Sequence, residues 1–200
     1  MKNILIVAFS TLLGFSAIAQ ETDSTSIFTR NQNFDEEGVE LYSTNFQLKS
    51  FKKFGFGASL GGLNGFFGAN IEANILPDNA LFIGVGGGDG YNAMSAGWKM
   101  NFEGEYLSPY TKVGYSKWFN TNSASAIADR SDVLRRVLTT SEIRQNRFNV
   151  DFIAGGAGLE YNQLEGELSG VNIYAELMAM TDITKLSLIP VGSVGLIYFY

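Results

Sequence analysis

The feature that most restricts the fold is an alternation of apolar with small or polar side chains, which recurs from residue 53 to residue 200. In its first appearance, residues 54–61, every second residue is apolar and the residues between are glycine or serine. Successive side chains of a β-strand point to opposite faces, so each such stretch predicts a strand with one apolar face.

Eight stretches of this kind follow one another, and turn signals such as Asn64-Gly65 separate most of them. The longest link runs from residue 120 to about residue 146 and joins the fifth and sixth stretches. In the sixth stretch, a loss of alternation at residues 156–159 predicts a β-bulge. The outward side of this stretch is predicted to consist of Phe148, Val150, Phe152 and Ala154, with Asn149, Asp151 and Gly155 on the opposite side.

Eight antiparallel strands joined by hairpins can close into an up-and-down barrel that leaves no strand edge free. The interior of such a barrel is only wide enough for side chains, which suits the face rich in glycine and serine. The other face is apolar over about ten residues, the length that a tilted strand needs to cross a bilayer. The sequence therefore predicts an all-β fold, an eight-stranded antiparallel up-and-down transmembrane β-barrel.

Two soluble folds are alternatives. A lipocalin-like barrel would need bulky apolar residues inside and a polar exterior, but here the charged residues share the glycine-rich face. A two-sheet sandwich meets the same objection.

The N-terminus has the features of a secretory signal peptide, with cleavage predicted after Ala19. Lys2 precedes an apolar run at residues 4–15, which is short for a membrane anchor. Residues 20–52 are polar and acidic and predict a flexible periplasmic segment. Weak alternation at residues 39–48 leaves open an additional or peripheral strand. The predicted barrel occupies residues 53–200.

Composition excludes several classes of function. The chain has no cysteine and no histidine, which excludes disulfides, thiolate metal sites and histidine-based catalysis. Its formal net charge of -6 is opposite to that of a nucleic-acid-binding surface. The acidic pairs Asp129/Asp132 and Glu103/Glu105 are interpreted as solvated turn residues. We expect no catalytic residue, no metal site and no cofactor.

Charged residues on the inward face form a candidate site. A buried charge is tolerated only with a partner, so these side chains are predicted to pair in a network that fills the lumen. The alternative is a narrow ion path. The residues are Glu72, Lys99, Lys112, Asp151 and Glu176.

The long link carries most of the chain's arginines and is predicted to contain a short amphipathic helix around Leu134 and Val137. Guanidinium groups suit phosphates, so contact with lipopolysaccharide is one prediction, and a solvated loop folded over the barrel mouth is the other. The arginines concerned are Arg130, Arg135, Arg136, Arg144 and Arg147.

Aromatic residues at the strand ends predict two girdles of the kind found on bacterial membrane barrels. One girdle comprises Phe54, Phe102, Tyr106, Tyr161, Tyr198 and Tyr200, and the other Phe66, Phe67, Tyr91, Trp118, Phe119 and Phe148.

From residue 53 onward, the chain resembles the small bacterial outer-membrane β-barrels of the OmpA membrane-domain and OmpX type. The sharpest element of the resemblance is the C-terminus, where the family carries a signal read by the barrel-assembly machinery. The residues matching that signal are Ser193, Gly195, Tyr198 and Tyr200, although the family usually ends in phenylalanine. The resemblance implies an outer-membrane location and assembly by that machinery, and no single activity.

These observations predict an exported, non-enzymatic, monomeric outer-membrane barrel with a structural or surface-interaction role. With both termini in the periplasm, the long link is extracellular. A narrow passive pore or small-solute conduit is the first alternative, and a soluble periplasmic lipocalin-like binding barrel is the second.

Overall fold

The computed structural model describes residues 40–120, 131–145 and 147–200. These residues form eight strands and three short helices. The strands are β1 (Phe54–Gly61), β2 (Phe67–Asn74), β3 (Asn79–Gly88), β4 (Tyr91–Asn101), β5 (Leu107–Asn120), β6 (Phe148–Asn162), β7 (Val171–Asp182) and β8 (Leu188–Phe199). The helices are α1 (Asn45–Phe51), α2 (Asp132–Val137) and α3 (Thr140–Gln145), and a 3-10 turn lies at Gly62–Asn64. Among the described residues, no helix is both long enough and apolar enough to cross a membrane.

Each strand pairs antiparallel with the next along the chain, and β8 pairs with β1 to close the sheet. The closing register places Phe56 opposite Tyr198. This arrangement confirms the predicted eight-stranded antiparallel up-and-down barrel. We call the end at which β1 begins and β8 ends the terminal mouth, and the end that carries the β5–β6 link the loop mouth.

The two faces follow the predicted alternation on seven of the eight described strands. Outward side chains such as Phe56 and Ile83 are about half exposed, at 50% and 57%. Inward residues on the neighbouring strands, such as Glu72 and Lys99, are buried. In the terminal half of the barrel, an apolar exterior and a polar interior are the reverse of the usual distribution in a water-soluble protein.

On β6 the predicted faces are wrong. Phe148, Val150, Phe152 and Ala154 point into the lumen, whereas Asp151 lies on the outer surface. The reason is that this half of the lumen is itself apolar, so the more apolar side of the strand is the inner one.

The predicted bulge in β6 is also absent, because the pairing of β6 with β5 runs without interruption from Asn120↔Phe148 to Leu107↔Tyr161. The alternation is blurred by inward glycines that make room for larger side chains. A Cβ atom added at Gly158 would lie 2.5 Å from Cζ of Tyr110.

An apolar cluster fills the lumen near the loop mouth. Leu134 and Val137 of α2 are fully buried against Phe152 of β6 and Met180 of β7. At the start of α2, the Leu134 amide donates a hydrogen bond to the Ser131 hydroxyl, 3.3 Å away. The predicted amphipathic helix therefore forms, and it closes this mouth with its apolar side.

The terminal mouth is closed by residues that precede the barrel wall. Helix α1 buries Asn45, Leu48 and Lys49, whose i, i+3, i+4 spacing places them on one helical face. The expectation of a flexible segment up to residue 52 is therefore wrong for α1. Of the strand left open at residues 39–48, the described residues 40–48 form only a single bridge between Leu41 and Glu165. The predicted signal peptide and residues 20–39 lie outside the described residues.

The aromatic girdle at the terminal mouth is exposed as predicted, and the rings of Tyr106 and Tyr161 stack there with their centroids 6.2 Å apart. At the loop mouth the prediction is wrong for Tyr91, Trp118 and Phe148, which are buried inside the barrel. These three rings belong to the apolar cluster, because each occupies an inward position on its strand.

Candidate functional site

The buried charges of the terminal half of the lumen form the candidate site, and Lys99 lies at its centre. Its Nζ atom is 3.1 Å from Oε1 of Glu72 and 2.7 Å from Oε2 of Glu160. The same ammonium lies 4.5 Å from the centre of the Tyr110 ring, within range of a cation–π contact. One lysine from β4 therefore ties β2, β5 and β6 together across the lumen.

Helix α1 adds a second lysine to this cluster. The Lys49 ammonium is in direct contact with the carboxylate of Glu160, and both side chains are completely buried. It also donates a hydrogen bond to Oδ1 of Asn101, at 2.8 Å. Glu160 is thus shared between a lysine of the barrel wall and a lysine of the inserted helix.

A separate ion pair joins β5 to β7. Lys112 Nζ lies 3.3 Å from Oε1 of Glu176, and the Tyr110 hydroxyl donates to Oε2 of Glu176 at 2.8 Å. The Lys112 ammonium is 4.3 Å from the centre of the Phe82 ring. Tyr110 therefore links the two groups of ion pairs, because its ring contacts Lys99 and its hydroxyl binds Glu176.

We call Lys49, Glu72, Lys99, Lys112, Glu160 and Glu176 the lumen network. Its three lysines and three glutamates carry formal charges that cancel. Burying an unpaired charge costs several kcal/mol, so this balance allows so polar an interior to be stable. Because each carboxylate accepts from a lysine, the network is arranged as a stabilising cross-link rather than as a set of free acids and bases.

The structure places Glu72, Lys99, Lys112 and Glu176 in the lumen, but it places the fifth predicted member, Asp151, outside. Asp151 accepts a hydrogen bond from the Tyr115 hydroxyl, and its Oδ1 lies 3.6 Å from Lys117 Nζ on the outer surface. The prediction is wrong because the faces of β6 were assigned the wrong way round.

Sequence reasoning missed Lys49 and Glu160. Glu160 and Phe152 are an even number of residues apart and lie on the same face of β6. An assignment of Phe152 to the lumen, with regular alternation along the strand, would therefore have identified Glu160 as an inward residue. Lys49 follows Leu48 on the buried side of α1, and the i, i+3, i+4 spacing was the available signal. Neither signal identifies a partner, because Glu160 is 111 positions from Lys49.

Several buried amide groups beside the network have no partner for one of their atoms. These are Oδ1 of Asn70, Asn74 and Asn172, and Nδ2 of Asn101. Asn74 already donates to the carbonyl of Lys52 at 3.0 Å, so its orientation is fixed. The terminal half of the lumen is therefore more polar than its own side chains can satisfy.

The predicted arginines lie partly within the described residues. Arg135, Arg136 and Arg147 are exposed, and Arg135 pairs with Asp132 on the outer side of α2. Arg130 and the side chain of Arg144 lie outside the described residues. Where α2 is described, its basic side faces solvent and its apolar side faces the barrel.

Helix α3 begins with a reciprocal capping arrangement. The Thr139 amide donates to Oε2 of Glu142 at 2.7 Å, and the Glu142 amide donates to the Thr139 hydroxyl at 3.3 Å. Hydrogen bonds that the Thr139 amide and hydroxyl donate to this carboxylate hold the pKa of the Glu142 carboxyl below its usual value.

A cleft of about 470 Å³ opens at the loop mouth between α2 and the strand ends. Tyr91 and Trp118 border it, with their rings stacked at a centroid distance of 4.9 Å, and Phe66 stands 73% exposed at its edge. Aromatic side chains therefore border this cleft, and of these three only the Phe66 ring is exposed.

The C-terminal residues of the predicted assembly signal lie on β8 and just after it. Ser193 and Gly195 face the lumen, and Tyr198 and Tyr200 are exposed on the outer surface. Gly195 leaves space for the inward Tyr174 ring, since a Cβ atom there would lie 2.5 Å from Cζ of Tyr174.

The other carboxylate pairs considered in the sequence form no site among the described residues. Glu103 and Glu105 are exposed in the β4–β5 turn, and Asp132 pairs with Arg135, while Asp129 lies outside the described residues. Within the described ranges, no group of three acidic side chains is arranged to hold a metal ion.

Comparison with known proteins gives distant structural likeness. No family model matches the sequence, and no curated protein matches it. The outer membrane protein Ail of Yersinia pestis, in a phospholipid bilayer nanodisc, is 14% identical over 74% of this chain and 99% of that chain, with a TM-score of 0.38. A crystal structure of Ail, the attachment invasion locus protein of Yersinia pestis, is 17% identical over 74% of this chain and 94% of that chain, with a TM-score of 0.32. Likeness this distant transfers no role to this chain.

Proposed function

We propose that this chain is an exported, non-enzymatic barrel of the bacterial outer membrane with a structural or surface-interaction role. The observation that carries the proposal is the chemistry of the outer surface. Along β1–β8, the outward positions of the described residues are uncharged except for Lys117 and Asp151, which pair near the loop mouth. Such a surface is stable against lipid and costly to expose to water.

The height of the apolar belt supports the same proposal. On β6 the belt lies between the polar Asp151 and the aromatic Tyr161. At about 3.4 Å per residue and a strand tilt of about 40°, this stretch rises about 25 Å, the height of the apolar band on outer-membrane barrels.

The lumen favours a closed barrel over the passive pore. Helix α1 occupies the terminal mouth, and Leu134 and Val137 of α2 pack into the apolar cluster at the loop mouth. The lumen network fills the space between, and an eight-stranded barrel has no further room for an aqueous channel.

The soluble lipocalin-like alternative is disfavoured by the direction of the side chains. Large apolar residues such as Leu177, at 76% exposed, point away from the barrel, and buried lysines and glutamates occupy the place of a ligand. A water-soluble barrel of this kind would expose an apolar belt on all sides.

The surface role is proposed for the loop mouth. Exposed Arg135, Arg136 and Arg147 suit phosphate groups of lipopolysaccharide, with Arg130 and Arg144 as further members of the same link. The aromatic edge at Phe66 adds an apolar contact. We propose assembly as a monomer by the barrel-assembly machinery, with Ser193, Gly195, Tyr198 and Tyr200 as the recognised residues.

Fractionation of cells that express the full chain tests the proposal. We expect the protein in the outer-membrane fraction, shortened by the predicted signal peptide, with a gel mobility in detergent that shifts between unheated and boiled samples. Recovery in the soluble periplasm would overturn it. A stable conductance of the purified protein in planar bilayers would instead support the pore.

A further inference from the structure

Helix α1 is the part of the terminal half that does not belong to the barrel wall. The wall is closed by the ladder between β1 and β8, and every strand has two paired neighbours without α1. Residues 40–52 touch the wall through few backbone hydrogen bonds, such as those from the Tyr42 amide to the Leu164 carbonyl and from the Asn45 amide to the Gly104 carbonyl, each 3.0 Å long.

Side chains from the middle of α1 nevertheless insert into the terminal end of the lumen. Leu48 is 1% exposed and packs in a cluster with Tyr110, Tyr174 and Phe199. The next residue, Lys49, contacts Glu160 and Asn101. A completely buried charged group is stable only while its partner is in place.

A second set of contacts holds the chain where it leaves the helix. Lys52 Nζ lies 2.8 Å from Oε2 of Glu40 and donates to the Ser169 carbonyl at 2.9 Å. The Ser169 hydroxyl donates to the same Glu40 carboxylate. Lys49 and Lys52 therefore hold α1 through two separate sets of polar contacts.

The part of the lumen that α1 covers is polar and incompletely hydrogen-bonded. The unpartnered atoms of Asn70, Asn74, Asn101 and Asn172 are buried there beside the charges of Glu72 and Lys99. Buried amide atoms of this kind are ordinarily hydrated or in contact with bulk solvent. The apolar cluster around Leu134 and Phe152 fills the other half of the lumen, towards the loop mouth.

We infer that α1 is a separable stopper for the polar terminal half of the lumen, and that the Lys49–Glu160 ion pair holds the stopper in place. Releasing α1 admits water to this half of the lumen from the terminal mouth, leaves the barrel wall intact, and does not open the loop mouth. The inference rests on the barrel alone and holds in detergent as well as in a membrane.

The chain has no cysteine, so single cysteines report access cleanly. Ser108 is fully buried on β5 near the terminal mouth, and Ser95 is buried on β4, where its hydroxyl donates to Asn64 Oδ1 at 2.5 Å. Ser108→Cys reports access to the terminal half of the lumen, and Ser95→Cys reports access to the loop half. Each cysteine substitution is combined, in the full chain, with one of two lysine substitutions. Lys49→Glu places a carboxylate against Glu160. The control, Lys53→Glu, makes the same charge change just outside α1. A charged, water-soluble maleimide is the probe.

We expect Lys49→Glu to accelerate labelling of the Ser108→Cys thiol at least tenfold and Lys53→Glu to leave that rate unchanged. The Ser95→Cys thiol should stay unreactive in both backgrounds. The heat-dependent gel shift should persist in every variant, because the wall is complete without α1.

Unchanged labelling of the Ser108→Cys thiol in a Lys49→Glu protein that keeps its gel shift would overturn the inference. If Lys49→Glu loses the gel shift, either the added carboxylate prevents folding or α1 is needed to build the wall, and Lys49→Gln distinguishes these two explanations. Faster labelling of Lys49→Gln with the shift retained supports a separable stopper. Loss of the shift in Lys49→Gln shows that α1 is needed to build the wall and overturns the inference.

Discussion

Lys49 and Glu160 form an ion pair that has no exposed surface on either side chain. One residue belongs to a seven-residue helix and the other to the longest strand of the barrel. Because Lys99 also binds Glu160, a single carboxylate holds two buried lysines, one in the barrel wall and one in the inserted helix. The polar interior depends on this carboxylate more than on any residue of the outer surface.

Removing the charge of Glu160 should therefore be costly. We expect Glu160→Gln to lower the free energy of unfolding by about 3–5 kcal/mol, because two buried ammonium groups lose a partner. Urea-induced unfolding in detergent measures the change. The control is Asp151→Asn, which breaks an outer ion pair about 40% exposed and should cost at most about 1 kcal/mol. Equal effects of the two substitutions would contradict the assignment of the faces of β6.

Loss of Lys99 should weaken the barrel without opening it. We expect Lys99→Ala to lower the temperature at which the heat-dependent gel shift is lost, since Glu72 and Glu160 lose a shared partner. The same variant should show no stable conductance in planar bilayers, because the apolar cluster still closes the loop half. A large, stable conductance would contradict a lumen closed at that end.

The docking of α2 should depend on its buried side. We expect Leu134→Ala to destabilise the packed loop by about 2–5 kcal/mol through the cavity that it leaves. Limited proteolysis should then cleave the β5–β6 link faster while the barrel core stays resistant. Arg136→Ala removes an exposed side chain of the same helix and serves as the control, which we expect to be cleaved like the unmodified chain.

The start of α3 should loosen in acid. The pKa of Glu142 is lowered in the folded loop by hydrogen bonds from Thr139, so the stabilisation is present above the pKa of the unfolded chain and is lost as the pH falls through the folded value. Amide exchange at residues 139–145, corrected for its intrinsic pH dependence, should show reduced protection in acid. Glu142→Gln should remove most of this pH dependence; an unchanged profile would show that the capping contact has no such effect.

Neutralising the loop arginines tests the lipid contact. We expect the combined changes Arg135→Gln, Arg136→Gln and Arg147→Gln to reduce the amount of lipopolysaccharide that copurifies with the protein, because guanidinium groups pair with phosphates. Lys53→Gln at the opposite mouth is the control. An unchanged lipid complement in a folded triple variant would count against the proposed partner.

The sequence by itself determined the number, order and antiparallel pairing of the strands, because alternation and turn residues act over a few neighbouring positions. It also identified the outer face of the seven strands other than β6, as with Phe56 beside Gly55 and Gly57 on β1. Only the tertiary structure decided which face of β6 points inward, because Phe152 packs against α2 and that contact depends on distant residues. The place of Lys49 was decided in the same way: a lysine near the N-terminus can be buried only where Glu160 and Asn101 meet it, and the closing of the barrel brings them together.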